Sequence, residues 1–381
     1  MPQSFDAIVL GAGAMGSAAA YYLTRAGQRV LLLEQYEIDH TKGSSYGPSR
    51  IIRYTYDHPT YIKLSQAAYP AWRAVEEDAG EKLYIRTGGL NFGPQNDTML
   101  QNTLNSVRLM SIPHEVLTAK EAQRRFPQFR FDDDMTVLYQ SDSGMLPASK
   151  SVLAHVRMAK QRGATVLDNT PATRVNVQHD GVEIQTPADV FHTARLIIAA
   201  GPWAKSVLAG LGLDLPLTPM RCQVAYFRPA NPVDYEPERF PTFIAHLEHL
   251  YGRIPYGMAS YLNSGVKVAF HKGQPVKHPS EVNYTPDDDE VEQIRRFTRQ
   301  YLPGADAPLE STMICLYTMT PDEHFIIDRH PEYPHVVFGA GFSGHGFKFS
   351  TLIGSILTDL ALNGKTEHDI GLFTVSRFVK V

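Results

Sequence analysis

Gly11, Gly13 and Gly16 follow directly on the apolar run at 5–10 (Phe-Asp-Ala-Ile-Val-Leu). In such a place the first glycine permits a tight turn and the second lets backbone approach a pyrophosphate. The third lets helix and strand pack closely. Residues 15–26 read as a helix with a small-residue face, ended by Gly27, and Arg29 to Glu34 as a second strand. The N-terminus of that helix offers free N–H groups and a partial positive charge to phosphates. Glu34, at the end of the second strand, suits a hydrogen bond to a ribose hydroxyl and disfavours a 2′-phosphate. This is a dinucleotide site in the first 34 residues, and it leaves FAD and NAD both open. A second glycine-rich helix start, Gly339 to Gly346, stands far along the chain. It suits a flavin ring, whose pyrimidine edge gains negative charge on reduction that a helix N-terminus stabilises.

Other residues could carry charge chemistry. Arg50 and Arg53 stand three apart around Ile51-Ile52. On a helical turn they would share a face, and buried arginines need anions. Lys348 falls at the first turn of a helix read as beginning at Phe347, where a cation opposes the helix dipole. Lys267 interrupts the apolar run at 266–270 (Val-Lys-Val-Ala-Phe). Alternation puts Lys267, Ala269 and His271 on one face, and the pattern alone reads as a half-exposed strand with a polar outer side. The chain has two cysteines, Cys222 and Cys315. Two thiols build neither a disulfide scaffold nor a four-cysteine zinc site, so a reducing, cytoplasmic setting is the expectation. From composition either one reads as a buried inert thiol.

The elements around these residues alternate in type. Helices are expected at 59–77, 98–110, 119–126, 147–162, 288–302 and 347–362, and a hairpin turns across His179-Asp180-Gly181. Strands are expected at 195–200, 220–227, 266–270, 312–317, 325–328 and 336–340. The length of 381 residues allows two to three domains. A net charge of −4 leaves no electrostatic footprint for nucleic acid. No apolar run approaches the ~20 residues of a membrane span, and the C-terminal Phe-Val-Lys-Val matches no address motif.

The sequence resembles the monomeric sarcosine oxidase family of flavin amine oxidases, which also includes N-methyltryptophan oxidase. The resemblance rests on Gly11-x-Gly-x-x-Gly16, on Gly43-Ser-Ser-Tyr-Gly-Pro-Ser-Arg50-Ile-Ile-Arg53 and on Gly265-Val-Lys267-Val-Ala-Phe-His271. It rests further on Cys315-Leu-Tyr-Thr-Met-Thr-Pro-Asp-Glu-His-Phe-Ile-Ile-Asp328 and Gly341-Phe-Ser-Gly-His345-Gly-Phe-Lys348-Phe. It implies an α/β plus α+β fold. An FAD-binding Rossmann-like domain would take 1–80, 146–216 and 321–381, and a catalytic domain on a mixed sheet would take 81–145 and 217–320. The implied cofactor is FAD, joined through Cys315 to the flavin 8α carbon. The implied reaction turns a secondary amino acid such as sarcosine into an imine while O2 becomes H2O2. N-methyltryptophan, pipecolate, proline or a fructosyl amino acid are alternative substrates, and a dehydrogenase with another electron acceptor is an alternative activity.

The resemblance makes Arg53 and Lys348 the carboxylate ligands, Tyr251 an aromatic lid and Lys267 the oxygen-activating cation. Arg50, His345 and Tyr317 would line the flavin or pocket, and His271 would touch substrate or hold a proton. Ser44, Val175, Gly201, Gly344 and Gly346 would join Gly11, Gly13, Gly16 and Glu34 around the cofactor. Where family members often carry a His pair, this chain has Ser45-Tyr46. A monomer is implied, with no metal, nucleic-acid or membrane partner.

Overall fold

The computed structural model describes residues 3–378; most of the Phe-Val-Lys-Val tail lies outside them. Strand Ala7–Leu10, helix Ala14–Arg25 and strand Val30–Leu33 form the expected βαβ unit, with Ala7 opposite Val30 in parallel register. These strands extend into a six-stranded sheet. Its order is Thr165–Leu167, Val30–Leu33, Ala7–Leu10, Leu196–Ile198, Val336–Ala340 and Ile326–Arg329, and only the last pairing is antiparallel. Parallel strands covered on both faces must be apolar at every position, and Ala7 to Leu10 are buried without a break. Ala7 and Val9 face helices Ala14–Arg25 and Ser350–Asn363. Ile8 and Leu10 face the other way, toward a small sheet containing Val182, Ile184 and Phe191.

That small sheet corrects the single strand expected at 5–10. The Asp6 carboxylate accepts from the Arg29 N–H (2.8 Å) and from its guanidinium, so the chain breaks there. Gln3–Phe5 joins the small sheet and Ala7–Leu10 the large one.

The second large sheet is mixed. It runs Gln274–Pro275, Thr218–Phe227, Val266–His271, Ile254–Met258, Thr242–Ala245, Gly89–Pro94, Met135–Gln140 and Glu115–Thr118. Leu309–Met319 pairs along the free edge of Thr218–Phe227. The one parallel join is Thr242–Ala245 with Gly89–Pro94. Helix Asp288–Tyr301 covers one face through Ile294 and Phe297, which pack with Phe227, Val266, Val268 and Phe270. Among the described residues no helix is long and apolar enough to cross a membrane.

Two local expectations change. Arg50 belongs to strand Arg50–Ile52, paired with Gly144–Leu146, so no helical turn joins it to Arg53. Phe347–Phe349 is a single 3-10 turn, and the α-helix begins at Ser350.

Helices Ala14–Arg25 and Ser350–Asn363 approach closely because Gly354 has no side chain. A Cβ there would stand 2.5 Å from the Ala18 Cβ and 2.6 Å from its carbonyl carbon. Gly354→Ala gains about 1 kcal/mol of helix propensity, but parting the helices costs about 1–3 kcal/mol. A lowered urea midpoint, with weaker FAD retention, is the expected outcome; an unchanged or raised midpoint would refute this account.

Candidate active site

A cleft of about 830 Å³ is lined by residues of both large sheets. At one end stand Gly11, Gly13 and Glu34. Gly11 has φ +96°, and a Cβ on it would crowd the Ala199 carbonyl. A Cβ on Gly16 would run into the Gly11 carbonyl oxygen, so the third glycine seats the helix on the strand. Glu34 is fixed by backbone: Ala12 N–H donates to Oε2 (2.8 Å) and Tyr36 N–H to Oε1 (3.1 Å). The Ala14 N–H, one of the amides a helix start leaves free, donates to Ser45 Oγ (2.9 Å). Ser45 therefore caps the glycine-loop helix.

The other end is built by strand register. Lys267 pairs with Tyr226 and Met258, and Tyr256 with Ala269. Tyr226 pairs with Ser311, Cys222 with Cys315, and Met220 with Tyr317. Directly opposed residues share a face, and so do residues two apart. Lys267, His271, Cys315, Tyr317 and Tyr256 therefore share the face turned away from helix Asp288–Tyr301. All five line the cleft.

Segment 43–50 closes over this face. The Arg50 guanidinium donates to the carbonyls of Ser49 (2.8 Å), Ser44 (3.0 Å) and Tyr46 (2.7 Å). Ser44 Oγ donates to the Leu316 carbonyl, and the Leu316 N–H returns a bond to Gly43 (3.2 Å). Arg50 thus folds the segment on itself, while Ser44 and Gly43 tie it to the strand that carries Cys315. Lys267, only 2% exposed, donates to the same Ser49 carbonyl (3.1 Å). Burial and then the Arg50 charge hold its pKa well below the lysine range.

Tyr56 organises two more cations. Arg53 lies over its ring, 4.1 Å from the centroid, and Lys348 Nζ donates to its oxygen (2.9 Å) and to the His345 carbonyl (2.7 Å). His345 Nε2 faces the Glu323 carbonyl (3.2 Å), which can only accept, so Nε2 carries the proton. His345 Nδ1 then accepts from the Tyr56 hydroxyl (3.3 Å). Burial, and then Arg53, hold Lys348 well below its ordinary pKa. The Trp72 indole fixes the Lys348 carbonyl (2.7 Å). Among the described residues, none of Arg50, Arg53, Lys267 and Lys348 has a carboxylate within ion-pair distance. Such a site binds anions and stabilises charge that develops beside it.

The cleft fits a flavin dinucleotide on its own geometry. The glycine turn and Glu34 suit a pyrophosphate and a ribose, and the Gly344–Gly346 loop lines the same cavity as Cys315 and Lys267. Gly344 has φ +77°, and a Cβ on it would collide with the Tyr317 ring.

Comparison with known proteins agrees. The family described as FAD dependent oxidoreductase matches residues 6–360. The chain is 36% identical to monomeric sarcosine oxidase of Bacillus sp. (strain NS-129), covering 99% of this chain and 98% of that one. It is 32% identical to N-methyl-L-tryptophan oxidase of Escherichia coli, covering 98% and 99%. Among solved structures, NikD, an unusual amino acid oxidase, superposes with a TM-score of 0.86 at 25% identity over 98% and 97% of the chains. The chain belongs to the FAD-dependent oxidoreductase family. It is an FAD-dependent amine oxidase.

For this FAD-dependent amine oxidase, the structure gathers most residues singled out in the sequence into one cleft. Ser44, Arg50, Arg53, Gly201, Lys267, His271, Cys315, Tyr317, Gly344, His345, Gly346 and Lys348 all line it. Two do not. Tyr251 turns into the second-sheet core beside Phe270 and Phe297, with its hydroxyl on Gln300 (3.0 Å). Tyr256 supplies the aromatic wall instead, and the strand register could have found it. Val175 pairs with Ile184 in the small sheet, and Thr170, Pro171 and Ala172 reach the cleft in its place. Tyr56 and His246 also line the cleft. Tyr56 stands three residues past Arg53, within reach of the same motif.

Burial keeps three histidines neutral: His155 and His271 are pushed down to about 3 and His246 to about 4. Below pH ~6.5 the unfolded chain takes up protons that the folded chain refuses. Their contribution is therefore full above pH ~6.5 and is lost as pH falls toward the folded values, at up to about 1.4 kcal/mol per pH unit for each histidine. His155 lies away from the cleft, so His155→Leu should flatten that slope by one histidine's share. Urea unfolding of both proteins between pH ~7.5 and ~5 measures it, and parallel profiles would contradict the assignment.

Proposed function

We propose that the enzyme oxidises a secondary, N-methyl amino acid such as sarcosine to its imine and passes the electrons to O2, giving H2O2. Water then releases glycine and formaldehyde. One observation carries this reading: four cations, none with a carboxylate at ion-pair distance among the described residues, line the same cleft as Cys315 and the dinucleotide turn. Bound FAD supplies the two-electron acceptor. The names of the sarcosine oxidase and N-methyltryptophan oxidase relatives support an amino acid with a secondary amine.

In this reading Arg53 and Lys348 take the substrate carboxylate, with the guanidinium fork matching its two oxygens. Tyr56 keeps the two cations apart while each faces the anion. Tyr256, Tyr317, His271 and His345 wall the amine, and burial keeps both histidines neutral, so they add no charge to the cations already in the cleft. The amine arrives deprotonated, so activity rises with pH through the substrate's own titration. Lys267 stabilises the anion made when oxygen takes its first electron, which favours an oxidase over a dehydrogenase.

Cys315 is the proposed attachment point. Its thiol would hold the flavin at the 8-methyl carbon, and the bound flavin would supply the two-electron oxidation that the thioether bond needs. The dinucleotide unit would comprise 1–80, 146–216 and 321–381, and the catalytic unit 81–145 and 217–320. A larger secondary amino acid is the second reading. It is favoured by the same cleft continuing to Asn91, Met99, Thr103 and His246, beyond what sarcosine fills. A panel of secondary amino acids with peroxide readout decides between them.

Lys267→Met should slow flavin reoxidation by about a hundredfold and change anaerobic reduction far less. Stopped-flow traces of the two half-reactions test this, and equal slowing of both would remove the role. Acid precipitation should leave yellow protein for the wild type and colourless protein for Cys315→Ser. Colour surviving in Cys315→Ser would place the attachment elsewhere.

A further inference from the structure

Cys222 and Cys315 are the only cysteines in the chain, and the register of Thr218–Phe227 with Leu309–Met319 sets them directly opposite one another. Opposed residues on an antiparallel pair point to the same face. The Leu316 N–H runs outward to Gly43. Backbone groups alternate along the strand, so Cys315 turns its amide inward and the cysteines form a hydrogen-bonded pair. The Cα atoms of such a pair lie about 5.5 Å apart, within the range of about 4.4–6.8 Å that a disulfide spans. Both thiols are buried and free. Cys315 lines the cleft and Cys222 does not. The Cys222 sulfur has only a long contact, 3.9 Å, to the Met220 carbonyl. Burial and then the neighbouring Cys315 raise its pKa, in keeping with two adjacent sulfurs.

We propose that Cys222 and Cys315 close into a cross-strand disulfide in any chain whose Cys315 carries no flavin, so that disulfide and flavin thioether are alternative fates of one sulfur. The second half of this rests on Cys315 as the attachment point; the first half does not. Hydrogen peroxide, the product assigned above, is the oxidant. The Cys315 thiol takes one peroxide oxygen to become a sulfenic acid and releases one water. The Cys222 thiol then displaces the second water and forms the S–S bond. Each sulfur loses one electron, the peroxide gains two, and both thiol protons leave in water. A disulfide in a hydrogen-bonded pair is strained, which makes it reducible by a dithiol. Cys222 is thus a modification site, and the oxidised chain binds FAD without attaching it.

The test uses full-length protein expressed with limiting riboflavin, so that flavin-carrying and flavin-free chains coexist. Samples with and without H2O2 are denatured in an alkylating agent, weighed intact and peptide-mapped. After peroxide, flavin-free chains should carry no alkyl group and weigh two hydrogens less than the reduced chain. They should yield one peptide pair joined between residues 222 and 315, reversed by dithiothreitol. Flavin-carrying chains should keep one alkylated thiol, Cys222. Two alkylated thiols on the flavin-free chains, or added oxygen on one sulfur beside an intact second thiol, would overturn the proposal.

In a second arm, peroxide-treated protein receives FAD, and the flavin kept through acid precipitation is measured. The wild type should lose attachment about fivefold, restored by dithiothreitol. Cys222→Ser should lose none, with Cys222→Ala substituted if the serine chain misfolds. Equal loss in wild type and variant would overturn the proposed exclusion. If no chain carries flavin through denaturation, the attachment reading fails, and the disulfide stands or falls on the mass and peptide map.

Discussion

Holding Arg50, Arg53, Lys267 and Lys348 around one cleft, with no carboxylate at ion-pair distance from any of them among the described residues, is the most demanding arrangement in this fold. Arg50, Lys267 and Lys348 donate to neutral acceptors, chiefly the Ser49 and His345 carbonyls and the Tyr56 oxygen, and Arg53 lies over the Tyr56 ring. Desolvation without an anion is costly for a buried charge. The direction of the Lys267 and Lys348 pKa values records that strain. Binding of an anion relieves it, so ligand binding and folded-state stability are linked. The surrounding elements act as a frame: Arg50 holds segment 43–50, Trp72 holds Lys348, and Tyr56 stands between two like charges.

Two kinds of precision meet at the cleft. Helix Ala14–Arg25 lies close on its strand because Gly11 and Gly16 lack side chains, and the glycine turn depends on it. The chemical end depends on register. A slip of one residue between Thr218–Phe227 and either neighbour would turn Lys267 or Cys315 into the apolar layer beneath. That layer, with Phe227, Val266, Val268 and Phe270 under helix Asp288–Tyr301, fixes the register because the hydrophobic set must face it.

Legibility in the sequence varied with the range of the physics. The glycine turn and Glu34 were readable because their rules span fewer than 40 residues. The strand of Lys267 was readable as a strand but misread as half-exposed, since alternation cannot say that a cleft wall rather than water faces the polar side. The break at Asp6 depends on an ion pair with Arg29. Tyr251 and Tyr256 stand five residues apart, and only the pairing of Tyr256 with Ala269 places one of them on the cleft face. Tyr56 drew no notice because a tyrosine near an arginine has no local signature.

By itself the sequence determined that the chain opens with a dinucleotide turn and that a second glycine-rich helix start lies far along it. It also identified which cations and which cysteine match a flavin amine oxidase. Those features are local motifs, and local motifs carry their chemistry with them. Only the tertiary structure decided that the four cations share one cleft with no ion-pair partner among the described residues, that Tyr56 divides two of them, and that Cys222 stands opposite Cys315. Each of those facts depends on strand register or on packing between segments tens to hundreds of residues apart. No spacing along the chain encodes which residues such pairing brings face to face.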